Sequence, residues 1–425
     1  MRENGIISPP FPGGFMPLLS VDEARSRMLS HFQPLGTEIL PLVKCARRVL
    51  AKDVAAQNDL PSFDNSAMDG FAVIAADLAD TTPASPQTLK VVADIPAGTS
   101  PEVTLIRGQA ARIMTGAPLP NGADAIVPVE ETDFHERAPG TPAPDSVTIY
   151  KAIRTGEYVR ARGMDVQTGQ PVLQAGHKLR PQDLGLLAML GVAEVPVYRQ
   201  PRVALLSSGD ELVPVDAPLR PGKIRDSNTY TLSALLEDAG VEILSLGIAA
   251  DRREAVEDLL EKAAAGQVDL ILSSAGVSVG AFDFIKDVVE AQGELDFWRV
   301  NMRPGKPLAF GKFKDIPFIG LPGNPVSAFV GFEVFVRLVL ERLSGLETMG
   351  RPRIRVQLAE SIASDGRESY LRAYTREENG ILSAHLAGHQ GSGNLLSIVQ
   401  ANALLIVPAG VKSLAAGTEV DAWLL

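Results

Sequence analysis

Two loops that combine small residues with carboxylates offer the clearest chemistry in this sequence. The segment Ser207–Leu212 reads SSGDEL after an apolar run, and the segment 273–283 reads SSAGVSVGAFD after another. Small residues let backbone N–H groups approach an anion, and the N-terminus of a following helix favours negative charge. One such loop is often only a tight turn. Two in one domain, each with a carboxylate, indicate a ligand site.

The carboxylates near these loops have no His or Cys close by in the sequence, so they form a hard-oxygen set. Such ligands suit Mg²⁺ that is shared with substrate phosphate. The candidates are Asp165, Asp210, Glu211, Asp251 and Asp283. Structural roles remain open at this point, because Asp251 with Glu254 can cap a helix and the other loop carboxylates can simply face solvent.

Positive charge is concentrated in a second kind of segment. The run Asn301–Pro307 reads NMRPGKP, in which a stiff Pro-Gly pair separates Arg303 from Lys306. Such a loop presents cations to an oxyanion, although cations on a surface loop can also serve solubility alone. A second basic cluster comprises Arg154, Arg160 and Arg162.

Composition excludes several classes of protein. One Cys in 425 residues rules out a disulfide framework and a thiolate metal cluster. A net charge of −11 is the opposite of what a general nucleic-acid binder carries. No uninterrupted apolar stretch is long enough to cross a membrane, and residues 1–17 have no signal-peptide core. We therefore expect a cytoplasmic protein that binds neither nucleic acid nor membrane.

Most of these residues are positioned by elements between residues 201 and 347. Strand and helix patterns alternate there, which predicts a mostly parallel sheet with helices on both faces and ligands at the carboxyl ends of its strands. Before it, residues 60–150 show short apolar runs between turn residues, which is typical of a β-rich module. After it, residues 351–425 alternate apolar and polar positions, which predicts a small β-barrel or sandwich. A capping box of Ser20 and Glu23 predicts a helix near the start.

Seven segments of the chain resemble the MoeA-type molybdopterin molybdenumtransferases, a family that includes the gephyrin E domain. In chain order they are FDNSAMDGFAV (Phe63–Val73), ARIMTGAPLPNGADAIVPVEE (Ala111–Glu131), RARGMD (Arg160–Asp165), SSGDEL (Ser207–Leu212), GVSVGAFDFIK (Gly276–Lys286), RPGKPLAFGK (Arg303–Lys312) and GLPGNPVSA (Gly320–Ala328). They cover nearly the whole chain after residue 17.

The resemblance implies an enzyme of molybdenum cofactor biosynthesis. Such an enzyme inserts molybdate into adenylated molybdopterin and releases AMP, with Mg²⁺ present. It also implies a homodimer whose active cleft lies between the α/β domain of one subunit and the β-rich module of the other. Contact with the molybdopterin adenylyltransferase and with acceptor molybdoenzymes is implied as well.

Combined with this resemblance, the patterns predict a multidomain α/β plus β protein. The expected parts are a flexible leader (1–17), a discontinuous helical linking domain (18–58 and 152–200), a β-rich module (59–151), an α/β molybdopterin-binding domain (201–347) and a C-terminal β-barrel (348–425).

The same resemblance suggests roles for individual residues. The implied catalytic residues are Asp64, Asp165, Glu211 and Asp283, and the implied metal ligands are Glu211, Asp251 and Asp283. The implied substrate-binding residues are Thr115, Arg160, Ser208, Gly209, Ser274, Gly276, Ser278, Arg303, Lys306, Arg372 and Ser392.

Two positions depart from the family pattern. Arg303 stands where the first lysine of a KPGKP motif is expected, and Ala275 stands where a glycine is common. Two other functions also fit parts of the pattern. One is a non-catalytic molybdopterin carrier or scaffold, and the other is an adenylyl-transferring or pyrophosphatase enzyme.

Overall fold

The protein was analysed as a computed structural model, which describes residues 18–135, 140–274, 284–346, 350–378 and 380–425. Its centre is a seven-stranded sheet that is parallel over most of its width. The strands in spatial order are Leu18–Leu19, Gly293–Val300, Pro307–Phe313, Ile316–Leu321, Leu270–Ser274, Arg202–Ser208 and Glu242–Ala249. Only Pro307–Phe313 runs antiparallel to its neighbours.

Helices cover both faces of this sheet, as the sequence predicted. On one face lie Val21–Leu29, Asn228–Ala239, and a long helix made of Pro325–Gly331, the π-helical turn Phe332–Val336, and Arg337–Leu343. On the other face lie Arg253–Ala265 and Phe284–Gln292. The two apolar layers fix the sheet between them, so the carboxyl ends of its parallel strands meet at one edge.

The first helix belongs to this α/β core. Ser20 and Glu23 form the predicted capping box, with the Glu23 N–H donating to Ser20 Oγ at 3.2 Å. Val21, Ala24 and Met28 are buried in the same core as the long helix. Residues 18–32, which the sequence suggested were part of the linking domain, therefore pack as part of the α/β domain.

The linking module has a small core of its own. Its strands pair Thr37–Pro41 with Glu194–Tyr198 and Val54–Ala55 with Pro171–Leu173. Leu42–Lys44 forms a short 3-10 turn, and Pro181–Met189 is an α-helix. The module is thus built from short strands together with this helix.

The β-rich module contains a five-stranded sheet. Its strands in order are Ala125–Pro128, Gly70–Val73, Gln109–Ile113, Gln87–Ile95 and Ser146–Ile149, with 3-10 turns at Ala75–Leu78 and Val129–Glu131. A separate two-stranded pair joins Asn65–Ser66 to Val159–Arg160.

The C-terminal part is a closed five-stranded barrel. Of the two folds that the sequence pattern allowed for this part, a barrel and a sandwich, it therefore has the barrel. Its strands in order are Glu368–Glu378, Ile381–Leu386, Arg353–Leu358, Glu419–Leu424 and Ala403–Val407, and the last pairs with the first. The short strand Met302–Arg303 pairs with the start of Glu368–Glu378. Two more short strand pairs join Leu212–Val213 to Ile224–Arg225 and Ile362–Ala363 to Ser413–Leu414. Leu396–Val399 is a short helix. Within the described part of the chain, no helix has the length and apolar character needed to span a membrane.

Candidate active site

The loop after strand Arg202–Ser208 brings carboxylates to the ligand edge of the sheet. Gly209 lies at φ +149, and a β-carbon there would come within 2.7 Å of the Glu211 carboxylate. The Glu211 side chain therefore lies directly over the Gly209 backbone, at a position where a larger residue would collide with it. Ser208, just before this turn, is buried.

Asp251 meets this loop from the neighbouring strand Glu242–Ala249. Its Oδ2 accepts the backbone N–H of Asp210 at 3.2 Å, and its own N–H donates to Asp210 Oδ1 at 3.1 Å. Burial raises the pKa of Asp251, and the nearby charges of Asp210 and Glu211 raise it further. The expectation that Asp251 caps the next helix is wrong, because Arg252 is the N-cap of that helix and no side-chain cap bond is made there.

Buried polar side chains support the adjacent strand ends. Asn228 Nδ2 donates to Ser274 Oγ and to the carbonyl of Gly323, both at 2.7 Å. Asn228 is only 8% exposed, and no donor among the described residues reaches its Oδ1. Asn228 was not among the residues chosen from the sequence, although the Asp226-Ser227-Asn228 run at the start of a helix was a usable signal.

A cavity of about 530 Å³ opens beside the acidic loop. Its wall combines polar groups of Asp210, Asp226 and Thr229 with apolar surface from Leu212 and Tyr230. A mixed wall of this size suits a flat heterocycle with a polar edge.

The β-rich module assembles a second group of predicted residues. The backbone N–H of Arg162 donates to Asp64 Oδ1 at 2.7 Å, and Arg160 pairs with Asp165 at 2.8 Å. The backbone N–H and hydroxyl of Thr115 both donate to Asp69 Oδ1 at 2.7 Å. These residues come from three segments that are distant in sequence. The pairing of Asn65–Ser66 with Val159–Arg160 brings two of them together, and the hydrogen bond from the Gly116 N–H to the Ser66 carbonyl adds the third.

Arg372 is the most unusual cation of the molecule. It is 1% exposed, and its guanidinium donates to Ser397 Oγ at 3.0 Å and to the carbonyl of Gly391 at 3.0 Å. Burial, together with the positive charge of Arg303, lowers the pKa of Arg372 to about 10. None of the acceptors that the described residues supply to it is a carboxylate. A buried cation in this state attracts an anion strongly.

The loop with Arg303 and Lys306 lies against the same region. Arg303 pairs with Ser369 in strand register, three residues before Arg372. A β-carbon at Gly305 would lie 3.5 Å from the Ser327 carbonyl, in the first turn of the long helix. The Ser392 carbonyl accepts the N–H of Val326, in that same turn, at 3.1 Å. The predicted anion-binding residues thus converge where barrel and α/β domain meet.

Three predicted residues, Gly276, Ser278 and Asp283, lie outside the described residues, as does the departure at Ala275. In the described ranges, no three His, Cys, Asp or Glu side chains are arranged to hold a metal ion.

The architecture is that of a multidomain protein in which a covered, mostly parallel sheet is combined with a β-rich module and a C-terminal barrel. Family models match three successive regions: the MoeA N-terminal region (domain I and II) at residues 19–191, a probable molybdopterin binding domain at 204–342, and the MoeA C-terminal region (domain IV) at 355–425.

Individual relatives agree with these matches. A molybdopterin molybdenumtransferase of Nostoc sp. is 39% identical over 391 residues, covering 90% of this chain and 88% of the relative. One of Haemophilus influenzae is 38% identical over 410 residues, covering 95% and 98%. A solved molybdopterin biosynthesis MoeA protein of Pyrococcus horikoshii has 29% identity and a TM-score of 0.79, covering 96% and 100%.

The chain belongs to the molybdopterin molybdenumtransferase family. It is a transferase of molybdenum cofactor biosynthesis. The family therefore favours an enzyme over the alternative function of a non-catalytic molybdopterin carrier or scaffold.

Proposed function

We propose that the protein inserts molybdate into adenylated molybdopterin and releases AMP. The observation that carries this proposal is Arg372, a buried guanidinium that receives no carboxylate from the described residues. A small oxyanion at this position would gain a charge-assisted hydrogen bond in a site with little water. Arg303 and Lys306 stand on the adjoining loop and supply further positive charge.

The adenylated substrate would occupy the ligand edge of the sheet. The cavity beside Asp210 has room for one ring system, and the unpartnered Oδ1 of Asn228 would accept an N–H from a heterocycle. A buried acceptor of this kind discriminates against ligands that lack the matching donor, because it then stays unsatisfied.

The acidic group fits a hard divalent cation. Burial, and then the charges of Asp210 and Glu211, raise the pKa of Asp251, so a positive charge among these carboxylates would relieve their repulsion. Glu211, Asp251 and Asp283 would hold Mg²⁺, which commonly takes only a few protein carboxylates and completes its shell with water and phosphate. When bound, Mg²⁺ would neutralise negative charge on the phosphate of the substrate. Glu211 and Asp251 keep this edge negative, and Asp210 and Asp251 each hold the backbone N–H of the other.

We also propose that the active enzyme is a homodimer in the cytoplasm, with each site completed by the partner's β-rich module. Asp64, Thr115, Arg160 and Asp165 form one polar group, which the partner subunit would bring to the acidic loop. The expected partners are the adenylyltransferase that supplies the substrate and the molybdoenzymes that accept the product.

A reconstitution assay tests this function. The purified protein, adenylated molybdopterin, molybdate and Mg²⁺ are mixed with a cofactor-free molybdoenzyme, whose activity is then measured. We expect activation with the wild type and a strongly raised molybdate requirement with Arg372→Met. Arg376→Met is the matched control, since Arg376 is exposed on the same strand. Activation that is equal without the protein would refute the proposed function.

A further inference from the structure

The outer face of the C-terminal barrel packs on the α/β domain through Tyr370, Leu404 and Trp423, which lie on three different barrel strands. In Glu368–Glu378, Leu371 and Ala373 point into the barrel core, whereas Tyr370 is buried in the core of the α/β domain. Residues alternate between faces in a strand, so Tyr370 and Arg372 share the face that meets the α/β domain. The strand that carries the candidate oxyanion site is therefore also one of the strands that dock the barrel.

Arg25, on the first helix, contacts three parts of this junction. Its Nε donates to the carbonyl of Val334 at 3.1 Å, and its Nη2 lies 3.4 Å from the Tyr370 hydroxyl. Its guanidinium carbon lies 5.4 Å from the ring centre of Trp423, which is a barrel residue. A planar guanidinium with a fixed fork of donors is suited to hold several groups in one geometry.

The Val334 carbonyl lies in a local irregularity of the long helix. Phe332–Val336 forms a π-helical turn between two α-helical segments. Such turns displace carbonyls from the regular ladder of helical hydrogen bonds and often occur near functional sites. Arg25 ties this turn to the barrel.

The groups that accept hydrogen bonds from Arg25 at the junction are uncharged. The Tyr370 hydroxyl donates to Glu368, and burial raises the pKa of Tyr370 far above its usual value. Tyr370 therefore stays protonated, and Arg25 does not neutralise a tyrosinate. The Asp22 carboxylate lies 3.6 Å from the Arg25 guanidinium, but the Asp22 side chain is almost fully exposed, so this ion pair contributes little to holding Arg25 in place.

We propose that Arg25 is a positioning residue that sets Arg372 against the loop of Arg303 and Lys306. Arg372 lies two residues beyond Tyr370, and Arg303 pairs with Ser369 just before it. Lys306 directly precedes strand Pro307–Phe313 of the α/β sheet, so a change in how the barrel sits on the long helix would alter the spacing between Arg372 and Lys306. This proposal rests on the function proposed above, in which that site takes molybdate.

The test compares Arg25→Met with Arg27→Met in the reconstitution assay. Arg27 is an exposed residue of the same helix, so its replacement controls for lost charge and changed helix composition. Since misplacement by about 1 Å can cost on the order of a hundredfold, we expect Arg25→Met to raise the KM for molybdate about ten- to a hundredfold. The kcat at saturating molybdate should change little. Arg27→Met should match the wild type.

Two further variants keep the outcomes distinct. Tyr370→Phe retains the buried ring and removes only the hydroxyl, so it should shift the KM in the same direction by less, even if Arg25→Met does not fold. Arg372→Met reports on the site itself. A raised KM in Arg372→Met with unchanged KM in Arg25→Met and Tyr370→Phe overturns only the positioning role. An unchanged KM in Arg372→Met overturns the proposed oxyanion site as well. Loss of kcat alone in Arg25→Met would show a role in stability and would also contradict positioning.

Discussion

Asp210 and Asp251 each accept the backbone N–H of the other, at 3.1 and 3.2 Å. They come from loops that follow two neighbouring parallel strands, so the reciprocal bonds hold both loops in one arrangement. The arrangement has an electrostatic cost, because burial and the adjacent carboxylates raise the pKa of Asp251. Keeping these charges together indicates a site that acts on a positively charged or cation-bound ligand.

Glu211→Gln tests the acidic loop. Gln keeps the size of the side chain over Gly209 but removes its charge, so we expect adenylated molybdopterin to bind while AMP release falls by about a hundredfold or more. Binding is measured by calorimetry and AMP by chromatography. Glu237→Gln, at an exposed helix position, is the matched control. Normal AMP release from Glu211→Gln would show that the turn is only structural.

Lys306→Ala tests the basic loop. Removing one charge of a hydrogen-bonded pair in a cleft typically costs about 2–5 kcal/mol, so the molybdate concentration needed for half-maximal activity should rise steeply. Circular dichroism should show an unchanged fold. Lys312→Ala, which alters a lysine on the following strand with similar exposure, should retain the wild-type requirement. If Lys306→Ala and Lys312→Ala need the same molybdate concentration for half-maximal activity, the loop lies outside the site.

Mixed dimers test the shared cleft. Asp64→Asn and Glu211→Gln remove one residue from each polar group, and each variant alone should be nearly inactive. If the two groups meet across subunits, each mixed dimer has one intact site of two, so the purified mixed dimer should show about half of the wild-type activity. Tagged purification of the mixed dimer provides the sample. An inactive mixed dimer would place both groups in a site within one chain.

Asp59 offers a pH-dependent test of the segment Arg160–Asp165. Hydrogen bonds from Thr168, then from Arg162, hold the pKa of Asp59 at about 2, below its usual 3.8. The stabilisation is therefore fully present above about pH 4 and is lost as the pH falls through the folded-state value. The difference in unfolding free energy between wild type and Asp59→Asn should stay constant from pH 7 to pH 5 and shrink below pH 4.

Urea unfolding at several pH values measures that difference. Asp216→Asn, at an exposed loop position, should show no such dependence. If the difference in unfolding free energy between wild type and Asp59→Asn increased as the pH fell, the result would contradict a lowered pKa for Asp59.

Periodicity predicted the architecture well, because burial imposes it directly. The alternation of strands and helices from Val203 onward requires a covered parallel sheet, and the polar loops then fall at its ligand edge. The motif resemblance supplied residues such as Arg372. Only the structure reveals that Arg372 is buried and that no carboxylate of the described residues accepts a hydrogen bond from it. Sequence spacing alone gave no reason to single it out.

Local rules failed where tertiary contacts compete with them. The Asp251–Glu254 spacing looks like a helix cap, yet Asp251 instead accepts the N–H of Asp210, a residue 41 positions away. The early helix Val21–Leu29 was correctly expected from its cap, but its packing partner depends on strand Leu18–Leu19 joining the central sheet. Neither contact leaves a signal within a short sequence window.

The central claim is that molybdate insertion and AMP release are one coupled event at this protein. The most direct measurement incubates the protein with adenylated molybdopterin and Mg²⁺, with and without molybdate, and quantifies AMP and pterin-bound molybdenum in the same samples. We expect AMP to form only when molybdate is present, with one molybdenum bound per AMP released. AMP release without molybdate, or molybdenum incorporation without AMP, would contradict the account.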